Sequence, residues 1–172
     1  MNDHLQANIF RFIFLISIQL LILKQVPIDL ANFRLLIFLY PMFILLLPTQ
    51  SPKQLLIFLG FLMGLTLDMF YDSPGVHAGA LVFTAFIRDF SLGMFGVDMD
   101  KVKSLTPSRA NVGFGKFARF SAFILFLHIF VYYVFDVFTF VYIGEIMVKT
   151  IGSFIVSYPV FLAYALIFNS KK

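Results

Sequence analysis

The chain contains no cysteine, so it forms no disulfide and offers no thiolate to a metal, although this says little about compartment. Charge is also thin: only 13% of the 172 residues are Asp, Glu, Lys or Arg. No polar stretch is longer than the one from Gly96 to Lys116, which leaves little room for an extramembrane catalytic domain. A nucleophile beside a base, a phosphate-cradling glycine loop and a paired-carboxylate motif are all missing, so no enzymatic activity and no cofactor is expected. Nothing points to a nucleic-acid partner. The first apolar segment ends at Lys24-Gln25 without a small-residue cleavage pattern, so it is expected to stay as a helix.

What the chain has in quantity is apolar surface. Sixty per cent of the residues are hydrophobic and 25 are phenylalanine, a balance that a water-soluble domain of this size could not fold without exposing large apolar patches. The expected fold is therefore an all-α integral membrane protein, a single polytopic domain over 1–172 built as a six-transmembrane-helix bundle. The predicted helices cover 7–23, 33–47, 54–71, 76–95, 117–135 and 146–168, each just long enough to cross a hydrocarbon core about 30 Å thick. Pro41 is expected to kink the second, and Pro159 lies within the sixth. Arg88 and Asp89 interrupt the fourth, which could instead leave the membrane near Ile87; the longer helix is the preferred reading. Phe138, Phe140 and Tyr142 give the last connection an aromatic character suited to lipid headgroups.

Charge placement sets the expected orientation. Arg11, Lys53, Lys101, Lys103, Arg109, Lys116, Arg119, Lys171 and Lys172 fall on one side of such a bundle, and Lys24, Arg34 and Lys149 on the other. Under the positive-inside rule both termini are cytoplasmic and the Asp72-Ser-Pro-Gly turn faces outward. The basic loop would also contact anionic lipid or a cytoplasmic protein.

The chain is organised around residues 60–88. Gly60, Gly64 and Asp68 are spaced by four, so two positions without side chains lead to a carboxylate along one helical face, where a neighbour can approach closely. After the turn, His77, Thr84, Arg88 and Ser91 draw a polar stripe on the next helix. The two stripes either satisfy one another inside the bundle or help to hold a partner. Arg88 needs an acceptor at its depth: Asp68 through a bridging group, Thr84, Ser91, or a backbone carbonyl of another helix. A proton path through Asp68, Asp72, His77, Arg88 and Asp136 is disfavoured, because the second, fifth and sixth helices offer few polar groups to continue it. His77 and His128 lack a third ligand at metal-site spacing.

At these residues the chain resembles a known family. Gly64-Leu-Thr-Leu-Asp68, then Gly75-Val-His77-Ala, then Ala85-Phe-Ile-Arg88, is similar to the motif of the rod shape-determining protein MreD family, small integral membrane proteins of bacteria. The resemblance implies a non-enzymatic scaffold of the cell-elongation complex in the cytoplasmic membrane, coupling cytoplasmic filaments to peptidoglycan synthesis. It implies an MreC-like bitopic protein as chief partner, with an MreB-like filament, a RodA-like glycosyltransferase and a penicillin-binding transpeptidase beside it. It also implies a helix arrangement similar to the substrate-binding subunits of energy-coupling-factor transporters, so a small-molecule-binding transporter subunit is the alternative. Gly64, Asp68, Gly75, His77 and Arg88 match the family pattern, and with Gly60 they are the candidate structural and interaction residues.

Overall fold

The computed structural model describes residues 2–26, 28–30, 33–98, 102 and 106–168, and their side chains other than those of 2–5 and 30. Helix α1 (Asn2–Leu21) runs into a 3-10 turn at Leu23–Gln25. A two-stranded antiparallel hairpin follows, β1 (Ile28–Leu30) against β2 (Phe33–Leu35), with Ile28 opposite Leu35. The chain then passes through 36–39 without regular structure and makes one helical turn, α2 (Met42–Leu45). Helices α3 (Lys53–Tyr71) and α4 (Val76–Met94) form a hairpin, and α5 (Arg109–Val112), α6 (Phe114–Val137) and α7 (Ile143–Phe168) complete the order. Four helical stretches, Gln6–Gln25, Lys53–Tyr71, Phe114–Val137 and Ile143–Phe168, are long and apolar enough to cross a membrane.

The helix expected over 33–47 does not form as one helix. Its first three residues are β2, the next four have no regular structure, and only Met42–Leu45 is helical. Pro41 does not kink a continuous helix; it starts a new one, standing at the N-terminus of α2 where its missing amide costs nothing. Upstream, neighbouring helices supply the hydrogen bonds that an extended backbone cannot make with itself. The amides of Leu36 and Phe38 donate to Ser153 Oγ (3.2 Å) and Ser157 Oγ (2.9 Å) on α7. On the opposite side Gln19 Nε2 of α1 donates to the Ile37 carbonyl (2.8 Å), and its Oε1 accepts from the Leu39 amide (3.1 Å). Successive peptide groups of an extended chain point to opposite sides, so one strand is stitched to two helices at once. Irregular backbone is tolerated at such depth when protein groups satisfy it. Leu35 and residues 37–47 are all buried.

The remaining helices differ from expectation mainly at their ends. Helix α4 continues without a break past Arg88 and Asp89 to Met94. Helix α6 begins three residues earlier than expected and runs on to Val137, and α7, which includes Pro159, begins at Ile143, so the aromatic connection shortens to 138–142. Phe38, Tyr40, Phe43, Phe117, Phe120 and Phe161 are fully buried and fill the interior where α2, α4, α6 and α7 meet.

The two ends of the bundle carry different charge. Arg11 donates to the Leu46 carbonyl (3.3 Å), Arg109 to that of Leu166 (3.1 Å) and Lys116 to that of Gly96, and this end also carries Lys53 and Arg119. At the other end Lys24 donates to the Phe70 carbonyl, and Lys149 pairs with Glu145 (2.6 Å) among Asp29, Arg34, Asp72 and Asp136. Asp100, Lys101, Lys103, Ser104, Lys171 and Lys172, named above for charge or for the main loop, lie outside the described residues, as do Pro27 and Asn32.

Candidate functional site

The α3–α4 hairpin is closed by a clasp at the acidic end. Helix α3 stops at Asp72, whose left-handed backbone (φ 52°) sends the chain out of the helix axis, and the turn ends at Gly75 with φ 86°. A side chain at Gly75 would strain that backbone, which is why glycine suits the position. The short turn leaves the first amides of α4 facing the last turn of α3, where Asp68 projects. The two Asp68 oxygens accept from the amides of His77 (2.8 Å), Ala78 (3.1 Å) and Gly75 (3.1 Å) and from the Ser73 hydroxyl (3.1 Å). His77 Nδ1 lies 2.9 Å from Oδ1 of the same carboxylate. Asp68 therefore does the work of an N-cap from another helix: it satisfies amides that have no partner within α4, and its charge sits at the positive end of the α4 dipole. The N-cap residue of α4, Gly75, has no side chain with which to do so.

One turn down the same face, Gly64 decides how closely the helices approach. A Cβ on Gly64 would stand 2.3 Å from Ala78 Cα and 2.5 Å from its nitrogen, so no side chain fits without moving backbone. A further turn along, a Cβ on Gly60 would lie 3.1 Å from the Leu81 carbonyl oxygen. The glycine stripe thus faces α4, and the close approach it allows puts the Asp68 oxygens within reach of the α4 amides.

His77 is buried between aromatic rings. Its imidazole lies 4.6 Å from the Tyr71 ring, 4.8 Å from Tyr132 and 5.6 Å from Tyr40, measured between centroids. The Tyr71 hydroxyl accepts from Gln19 Nε2 (3.1 Å), so the clasp is connected to the residue that stitches the extended segment. Beside it runs a second buried network. Tyr40 Oη is 2.9 Å from His128 Nε2, and His128 Nδ1 is 2.8 Å from the Thr84 hydroxyl, which donates to the Ala80 carbonyl (2.8 Å).

Of the sequence-expected residues, Gly60, Gly64, Asp68, Gly75 and His77 come together along this one contact. Arg88 does not join them. It lies about 18 Å along α4 from Val76 by helix rise, fully buried, donating to the Leu47 carbonyl and to Asp89 Oδ1 (3.2 Å). A backbone carbonyl is among its expected acceptors, but from another helix, whereas Leu47 lies beyond the end of α2. Arg88 Nε has no hydrogen-bond partner among the described residues. With Arg11 on Leu46, two guanidiniums stand at the carbonyl end of α2, where a cation is favoured.

The two stripes meet at one point, His77 on Asp68. Thr84 turns to α6, Arg88 to the residues after α2, and Ser91 bonds the Ile87 carbonyl of its own helix (2.9 Å). Asp72 and Asp136 are exposed at the acidic end, so the five groups considered as a proton path are not contiguous. Among the described residues no three His, Cys, Asp or Glu side chains come together as metal ligands. Ser153 and Ser157 are not among the residues expected from the sequence, although their spacing by four in an apolar helix is a usable signal.

No family model, curated protein or solved structure matches the chain.

Proposed function

We propose that the chain is a non-enzymatic membrane scaffold of the bacterial elongation complex, in line with its resemblance to the MreD family, with both termini cytoplasmic and six crossings, one of them the half-extended segment 36–47. The observation that carries the proposal is the clasp. The residues that match the family pattern from Gly64 to His77 hold two helix backbones together, and the Asp68 and His77 side chains are turned onto each other and onto the first amides of α4. A motif used in this way makes a rigid hairpin and no chemistry. The hairpin presents its other side outward: Phe58, Leu62, Leu65 and Met69 of α3 and Phe86 and Phe90 of α4 are exposed, an apolar face suited to a single-span helix such as that of an MreC-like partner. The basic end would face the cytoplasm and its filaments.

Photo-crosslinkable residues placed singly at Phe58, Leu65, Met69, Phe86 and Phe90 sample this face directly. Capture of the MreC-like protein from cells at these positions is the expected result. Normal expression with no elongation-complex protein captured at any of them would sink the proposal.

A second reading rests on one cavity. About 340 Å³ of space opens at the acidic end between Phe33, Arg34, Tyr133, Asp136, Glu145 and Lys149. Its size is at the lower bound for a small-molecule site, and its mixed charge would suit a zwitterion taken from outside, as a transporter subunit requires. Saturable binding of a small zwitterion, abolished by Lys149→Ala, would favour this reading over the scaffold.

A further inference from the structure

At the basic end a slot of about 190 Å³ lies between α1 and α7. Its walls are Phe10, Phe14, Tyr164 and Phe168, with Ala7 and Arg11 on the α1 side. The rings form a continuous lining: Phe14 stands 5.3 Å from Phe168, which stacks on Tyr164 at 4.8 Å. Phe10 is 67% and Phe168 53% exposed, so the slot opens sideways, onto the surface that hydrocarbon covers in a bilayer. A gap there without partner atoms forfeits dispersion on every lining side chain, so an acyl chain is its natural filling.

Arg11 gives the same slot a polar head. It lies about 8 Å of helix rise from Gln6, the start of the apolar span, a depth from which a guanidinium reaches the headgroup layer. Guanidinium has five N–H donors, and Arg11 reaches Asn8 Oδ1 and the Leu46 carbonyl from Nη1 alone, each at 3.3 Å, long for such bonds, with the Tyr164 hydroxyl as a further neighbour. An aromatic slot open to lipid with a cation, Arg11, at its polar margin has the shape and charge of an amphiphile bearing a phosphate.

We propose that this slot binds one anionic phospholipid, its phosphate on Arg11 and an acyl chain between the α1 and α7 rings. The site is separate from the α3–α4 clasp and from its outer face, and it does not depend on the scaffold reading.

The test is native mass spectrometry of the full chain released from neutral detergent with added phosphatidylglycerol, phosphatidylcholine or inorganic phosphate. One phosphatidylglycerol is expected to be retained in preference to phosphatidylcholine, and inorganic phosphate is expected not to displace it. Arg11→Gln should weaken retention about fivefold, the loss expected of one arginine near an anionic surface. Arg119→Gln, at an exposed position of the same end, should leave it unchanged. Because Arg11 also holds Leu46, Ala7→Phe supplies a variant with the arginine intact: Ala7 lines the slot, and filling it should abolish retention. Equal retention of both lipids, displacement by inorganic phosphate, an equal loss in Arg119→Gln or full retention in Ala7→Phe would each overturn the assignment. Displacement by inorganic phosphate would point to a free-anion site instead.

Discussion

At the scale of single residues, Gly64 and Asp68 illustrate two different kinds of necessity. Gly64 is needed for what it lacks, since a methyl group there meets the Ala78 backbone and not a side chain that could rotate away. Gly64→Ala should therefore cost about 1–3 kcal/mol or more through forced separation of the helices, and Gly64→Leu should lower the amount of protein in the membrane. Gly93, on the same hairpin, has nothing within 4 Å of a built Cβ, so Gly93→Ala should be neutral or stabilising by up to about 1 kcal/mol. Thermal melting in detergent distinguishes the two, and equal melting temperatures would show that the close approach is not what Gly64 provides. Asp68 is needed for its acceptors. Asp68→Ala leaves the amides of Gly75, His77 and Ala78 without their carboxylate, and a buried donor without a partner costs about 1–3 kcal/mol. Asp68→Asn keeps one oxygen and should lose roughly half as much. If Asn proved as damaging as Ala, charge at the helix terminus and not hydrogen bonding would be the main contribution.

At the scale of elements, the segment over 36–47 is not built as one helix. A helix satisfies its own backbone, so side-chain changes on its neighbours alter packing and leave its amides protected. The extended stretch borrows its hydrogen bonds from Gln19, Ser153 and Ser157. Ser157→Ala should accordingly raise hydrogen exchange at Phe38 with α3 and α4 unaffected, and Gln19→Leu should raise it at Leu39. Each loss should be modest in stability, about 0.6 and at most about 1.7 kcal/mol, as measured for hydrogen bonds between membrane helices. Unchanged exchange at both amides would mean that the segment is held by burial of Phe38 and Tyr40 alone.

At the scale of the whole molecule, the division of charge between the ends leads to an orientation that can be read chemically. The chain has no cysteine, so a single introduced thiol is the only one present. Asp72 and Lys116 are exposed at opposite ends. In intact cells Asp72→Cys should react with a membrane-impermeant maleimide, and Lys116→Cys should react only after lysis. The reverse pattern would invert the assignment of the basic end to the cytoplasm.

The α3–α4 clasp was legible in the sequence because it is local. Glycines and an aspartate spaced by four, a turn with Pro74 and Gly75, and His77 just beyond it bring Asp68 and its partners together within ten residues along the chain. The requirement that Arg88 find an acceptor was equally legible, since a buried guanidinium needs one whatever the fold. Which acceptor it found was not. Leu47 is 41 residues away, the partners Tyr40 and His128 are 88 apart, and Phe38 and Ser157 are 119 apart. Periodicity describes a segment by itself, and 33–47 is apolar enough to pass for a helix. Whether it coils or extends depends on the hydrogen-bonding groups that α1 and α7 place around it. Residue spacing thus determined the hairpin, and only the packing of distant helices decided the path of the strand between them.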